Sequence, residues 1–130
     1  MAKHNQIGAD GEKVAEEFLI RKGFNTIARN FRRPYGEIDI ISRETSGKYR
    51  FIEVKSVSWE TGGGSDVSHG TYKPEENMHP MKAKRLMRVI QAYIAQYGVE
   101  DWQFDVVAVF LDQKNKRAKV RHLENIILEV

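Results

Sequence analysis

Gly36-Glu37-Ile38-Asp39-Ile40-Ile41, followed after a polar turn by Phe51-Ile52-Glu53-Val54-Lys55, is the stretch whose reading decides the fold. Both halves alternate with the period of two that sends successive strand side chains to opposite faces. The alternation predicts that Ile38 and Ile40 share one face of the first strand, and Ile52 and Val54 one face of the second. Between the runs, Arg43-Glu44-Thr45-Ser46-Gly47-Lys48 has the polar, glycine-containing character of a hairpin loop. Glu37 and Asp39 then fall opposite the isoleucines, and Glu53 and Lys55 do the same on the partner strand. Pairing of the strands brings the carboxylates of Asp39 and Glu53 together on one face, with an ammonium beside them. That is the outline of a divalent-metal site.

The chemistry explains the residue types. Mg²⁺ takes oxygen ligands and usually uses one or two protein carboxylates, leaving water and phosphate to complete its shell. Such an ion polarises a phosphoryl oxygen and lowers the pKa of bound water. A lysine two residues beyond Glu53 points the same way, and suits either orientation of that water or stabilisation of growing negative charge. The bland alternative is a solvated sheet face with surface ion pairs. Against it, Glu53 and Lys55 lie between Phe51 and Val57 on a face expected to be partly buried, where charges need partners or a metal.

With 130 residues the chain has the size of one domain, predicted to span 1–130, and can bury a core. Hydrophobic residues at 41% and charged ones at 30% give a globular rather than a disordered balance. The lack of cysteine excludes disulfides and thiolate metal sites and is compatible with a reducing cytosol, so a cytoplasmic location is expected. No apolar run approaches the roughly 20 residues of a membrane span, and no membrane association is expected. A net charge of +3 allows a nucleic-acid partner without requiring one.

Upstream, Ile7, Val14, Ala15, Phe18 and Leu19 recur at helical spacing over Ile7–Lys22, with Gly23 as the stop and a frayed Met1–Gln6 ahead. Gly8 and Gly11 are odd in a helix, where each costs on the order of 1 kcal/mol against alanine. Close approach of another backbone or of a phosphate would account for them, and it makes the adjacent Glu12 a candidate third carboxylate. Phe24–Arg32 reads as a strand with a basic end at Arg29, Arg32 and Arg33, and Pro34-Tyr35-Gly36 as the turn into the hairpin. Residues 58–79, with Gly62-Gly63-Gly64, Gly70 and Pro74, read as a long loop beyond the about 12–15 residues usual in compact domains, able to fold over a substrate or to do nothing.

Pro80–Tyr97 is the second helix, opened by Pro80, stopped by Gly98 and striped by Leu86, Val89, Ile90, Tyr93, Ile94 and Tyr97. Lys82, Lys84, Arg85 and Arg88 crowd its first half against the dipole preference, a conflict that a phosphate partner would offset. Trp102–Leu111 is apolar enough for a buried central strand, with Asp105 as the exception, suited to capping or pairing with an arginine. Lys116–Leu123 alternates as an edge strand guarded by charge, and Ile126-Ile127-Leu128 packs back on the core. The histidines His4, His69, His79 and His122 show no ligand spacing. The element order predicts an α/β fold, a central mixed sheet flanked by helices.

Taken together, Gly8-x-x-Gly11-Glu12, Arg29-Asn30, Gly36-Glu37-Ile38-Asp39, Glu53-Val54-Lys55, the lysine-rich second helix and Phe104-Asp105-Val106-Val107 resemble the YraN-like family of the restriction-endonuclease-like (PD-(D/E)xK) superfamily. The resemblance implies a restriction-endonuclease-like core similar to archaeal Holliday-junction resolvases. It implies Glu12, Asp39 and Glu53 around Mg²⁺ (or Mn²⁺), with Lys55 in catalysis. Arg29, Arg32, Arg33, Lys82, Lys84, Arg85 and Arg88 are then the expected contacts to nucleic acid, DNA in particular. A homodimer would match the two-fold symmetry of a four-way junction. Ser56-Val57-Ser58 stands where the family often has a basic residue. Two other classes fit parts of the pattern: a non-catalytic nucleic-acid-binding module, and a protein-interaction domain using Trp59, Tyr72, Tyr93 and Trp102.

Overall fold

The computed structural model describes residues 3–58 and 79–128, with side chains from Asp10 onward. The expected long loop therefore lies outside the described residues, apart from its ends Ser58 and His79; so do Trp59, Tyr72 and His69. The elements run α1 (Lys3–Arg21), β1 (Asn25–Arg33), β2 (Gly36–Arg43), β3 (Tyr49–Ser58), α2 (Pro80–Tyr97), β4 (Trp102–Asp112) and β5 (Arg117–Leu123). The strands form one five-stranded sheet in the order β1-β2-β3-β4-β5. Only the β3–β4 pair is parallel, so the sheet is mixed, as the sequence predicts.

Neighbouring residues on one strand show how the layers divide. Phe51 joins Leu86, Val89, Ile90 and Tyr93 of α2, whereas Ile52 joins Ala15 and Leu19 of α1. The helices thus cover opposite faces, each pressing an apolar stripe onto one side of the pleat. β4 is buried from Phe104 to Asp112 and contributes to both clusters, the pattern of an interior strand.

α2 begins and ends where its sequence says. His79 caps it through Nδ1, which accepts from Met81 N–H at 3.1 Å; Pro80 follows at the first position, and Gly98 stops it at φ 67°. Tyr97 departs from expectation: it is 54% exposed, beyond the core stripe, with its ring 4.4 Å from that of Tyr93. α1 starts at Lys3, ahead of the apolar stripe, so the N-terminal segment expected to fray is largely helical. Gly11 has a steric reason, because a Cβ there would lie 1.7 Å from Ser56 Oγ on β3. Gly8 falls in the part of α1 where only backbone is described. The tail folds back as expected, with Ile126 N–H donating to Phe104 O and Ile126 and Leu128 on the core, although Ile127 points outward. Among the described residues no helix is long and apolar enough to cross a membrane.

Candidate metal centre

The antiparallel pairing of β2 with β3 runs from Arg43↔Tyr49 to Ile40↔Ile52 and stops there. The next two positions facing each other are Asp39 and Glu53. The strands fork at the acids, and Asp39 Oδ2 accepts the Val54 N–H at 2.8 Å, filling with a side chain the place of a lost ladder bond. Across on β1, Asn30 takes a left-handed φ of 51°, opposite the level of Asp39. These distortions correct one expectation from the sequence. Ile38 and Ile40 do not share a face: Ile38 packs with α2 and Ile40 with α1. Strict alternation holds only while a strand stays regular, and this one breaks at the residue between them.

Asp39 and Glu53 line a pocket of about 260 Å³ together with Tyr35, Gly36, Glu37, Lys82, Arg85 and Leu86. Burial pushes the Asp39 carboxyl up to about 7, aided by the charges of Glu53, Glu12 and Glu37 and opposed by the Val54 hydrogen bond. Such crowding of acids is the signature of a site short of positive charge. Two lysines answer part of it. Lys82 Nζ donates to Glu53 Oε2 at 2.6 Å, and Lys55 Nζ stands 3.5 Å from the same oxygen. Burial and the neighbouring Lys82 lower the pKa of Lys55 despite Glu53. Burial alone would lower Lys82 too, but the Glu53 contact outweighs it and raises it. Lys82, expected to face nucleic acid, is thus placed on the acids.

Glu12 approaches from α1. Asn30 Nδ2 donates both to Glu12 Oε1 at 3.2 Å and to Glu37 Oε2 at 2.9 Å, tying the helix to the rim of the fork. Glu12, Asp39 and Glu53 do not converge to the mutual 4.8 Å seen in the one three-ligand group among the described residues. For a hard cation that keeps several waters, the facing pair Asp39 and Glu53 suffices as protein ligands. Oxygen donors, excess negative charge and a polar pocket fit such an ion. Asn30 was missed as a bridge; the signal was an asparagine inside a strand run, a residue tolerant of the left-handed region.

The remaining basic residues ring this end of the molecule in different states. Arg32 pairs with Glu37 at 3.2 Å and Arg29 with Glu16 at 3.3 Å. Arg33 donates to Gln96 Oε1 at 2.6 Å and lies over the Phe31 ring, and Arg88 lies 4.0 Å over Tyr35 at the pocket mouth. Arg85 lines the pocket, while Lys84 faces away from it with Met87 and Gln91.

The three-ligand group itself is Asp105, His122 and Glu124, built on β4 and the end of β5, where Asp105 pairs with Ile52, the residue before Glu53. It holds its own cations. Arg50 Nη1 donates to Asp105 Oδ2 at 2.8 Å and to Glu124 Oε1 at 2.6 Å, and its Nε donates to Glu44 at 2.7 Å. His122 Nδ1 lies 2.7 Å from Lys22 Nζ, which can only donate, so Nε2 carries the hydrogen toward Asp105 at 2.8 Å. Burial acts to raise the Asp105 carboxyl, yet bonds from His122, Gln103, the Asn125 N–H and Arg50 hold it well below the usual carboxylate range. The expected pairing of Asp105 with an arginine is present. His122, which sequence spacing left as an ordinary polar residue, is a buried member of this network.

Comparison with known proteins follows this geometry closely in extent. Residues 11–109, from the tight Gly11 through the acids to the middle of β4, match the uncharacterised protein family UPF0102. The chain belongs to UPF0102. Its UPF0102 relatives include a protein of Caldicellulosiruptor bescii, 32% identical over 123 residues, covering 92% of this chain and 95% of the relative. Another, from Thermodesulfovibrio yellowstonii, is 33% identical over 122 residues, with 92% and 94% covered. A third, from Chlorobaculum parvum, is 35% identical over 126 residues, with 91% and 88% covered. The UPF0102 match spans both halves of the fork and the helix that carries Lys82.

Proposed function

We propose that this protein is a metal-dependent endonuclease of the restriction-endonuclease-like type, hydrolysing phosphodiester bonds in DNA, branched or structured DNA in particular. The observation that carries the reading is the fork: Asp39 and Glu53 facing each other where β2 and β3 part, with Lys55 3.5 Å from Glu53. The five-stranded mixed sheet between two helices agrees with that type of core.

Asp39 and Glu53 are the residues to hold Mg²⁺ or Mn²⁺, which when bound polarises the phosphoryl oxygen and acidifies a water. Glu12 adds negative charge that Asp39 feels, and Asn30 fixes its position. Lys55, with its pKa lowered by burial, is suited to orient the attacking water or to place a proton at Nζ near the reacting phosphate. Arg85 at the N-terminal turns of α2 offers positive charge to flanking phosphates, where backbone N–H groups also point outward, while Lys82 stays on Glu53. A cysteine-free chain suits the reducing cytoplasm, which completes the reading.

The test is cleavage of a labelled four-way junction, a flap, a single strand and a duplex with Mg²⁺ or Mn²⁺. Turnover by the wild type that disappears in Glu53→Gln is the expected result. Absence of divalent-ion binding, with Asp39→Asn and Glu53→Gln both behaving as wild type, would overturn the reading.

A further inference from the structure

Charge along this chain is concentrated in a place the acids do not explain. From Gln113 to Leu123 there are five Lys or Arg and no Asp or Glu, against +3 for the whole chain, so the rest carries −2. This stretch is the β4–β5 turn and the edge strand β5, and its residues 113–119 are all exposed. Guarding a sheet edge against mispairing accounts for charges on β5 itself. It does not account for Lys114 and Lys116, which stand in the turn and have no edge to protect.

Two further observations separate this hairpin from an ordinary solvated turn. Lys114, Lys116 and Lys119 pair with no acid among the described residues, whereas Arg29, Arg32 and Lys82 each do. Lys116 also holds φ at 53°, a left-handed conformation that glycine or asparagine adopts with less strain. A lysine kept where the backbone prefers another residue is an outlier that points to use of its side chain.

The hairpin also lies at the correct end of the sheet. Glu53 pairs with Val106, and β4 continues for another six residues to Asp112, paired with β3 as far as Leu111, before turning. At about 3.3 Å per residue the turn sits about 20 Å beyond the acids along the strands, and about 10 Å to the side across two strand spacings. The hairpin therefore occupies the carboxyl end of the parallel pair, the usual ligand side of an α/β sheet, with the acids midway along it. Successive base pairs rise about 3.4 Å, so the separation corresponds to roughly six base pairs, less than one turn of duplex.

We propose that the β4–β5 hairpin, through Lys114, Lys116 and Lys119, is a second contact to the phosphate backbone of a DNA duplex whose reacting phosphate lies at the acid pocket. The inference rests on the nuclease reading for its substrate. The three ammonium groups hold the duplex arm without reading its sequence, because phosphate contacts position and do not specify.

The experiment measures binding of the full chain to a duplex and to a four-way junction across a salt series, in a chelator so that no cleavage occurs. Wild type is compared with the triple variant Lys114→Gln, Lys116→Gln, Lys119→Gln. Loss of about three phosphate contacts lowers the log-affinity against log-salt slope by about three, equally for unrelated sequences. Calorimetric Mn²⁺ binding by the variant, unchanged from wild type, shows an intact fold and acid pocket. An unaltered salt slope in the variant overturns the hairpin contact and leaves the nuclease reading standing. Failure of wild type to bind either DNA overturns both, and binding of the wild type to anionic lipid vesicles instead would assign the lysines to a membrane surface.

Discussion

Asp39 gives the sharpest test of the fork. Its carboxyl is pushed up to about 7 from an ordinary 3.8, so between about pH 4 and 7 the folded chain holds a proton that the unfolded chain has lost. Stability from this group is therefore full below pH 3.8, falls as pH rises through the window, and is gone above about 7. The shift of roughly three units sets a ceiling of about 4 kcal/mol at 1.36 kcal/mol per unit, and partial exposure to solvent brings the expected loss to about 2 kcal/mol. In Asp39→Asn the amide oxygen can still accept the Val54 N–H, but nothing titrates. Urea unfolding of both proteins at pH 4.5, 6 and 7.5, without divalent ions, isolates the effect as the change with pH in their stability difference. Relative to the variant, the wild type should lose about 2 kcal/mol over this range. Saturating Mn²⁺ should abolish the loss, because the ion binds the deprotonated form. A stability difference that stays constant with pH, or that moves in the wild type's favour, would refute the account of Asp39 as a carboxylate starved of positive charge.

Other consequences reach different parts of the fold. Asp105→Ala should destabilise by about 3–5 kcal/mol in urea melts, since Arg50 and His122 lose a fully buried partner, while leaving Mn²⁺ affinity at Glu53 unchanged. Gly11→Ala should cost about 1–3 kcal/mol from the clash with Ser56, and Ser56→Gly in the same chain should recover most of it in a double-mutant cycle.

How much of this was legible depended on the distance over which each signal acts. α2 was readable to the residue because its Pro80, its apolar period and Gly98 act within the helix itself. The burial of β4 was plain from a run with almost no polar member. The meeting of Asp39 and Glu53 followed from two alternating runs and the short turn between them. The split of Ile38 from Ile40 could not be read this way, since it depends on a left-handed residue in the neighbouring strand. The ring of Arg50, Asp105, His122 and Lys22 was hidden for a similar reason: its partners are up to 100 residues apart in sequence, and no local period records such a meeting.

The parting of β2 and β3 also sets a conflict between sturdiness and use. A chain selected only to fold would continue the ladder past Ile40 and Ile52, trading two crowded carboxylates for backbone bonds and apolar cross-strand pairs. Substitutions that close the fork, such as Asp39→Val or Glu53→Val, should therefore be among the simplest ways to make this protein harder to melt, and each would remove the opening on which the proposed chemistry depends.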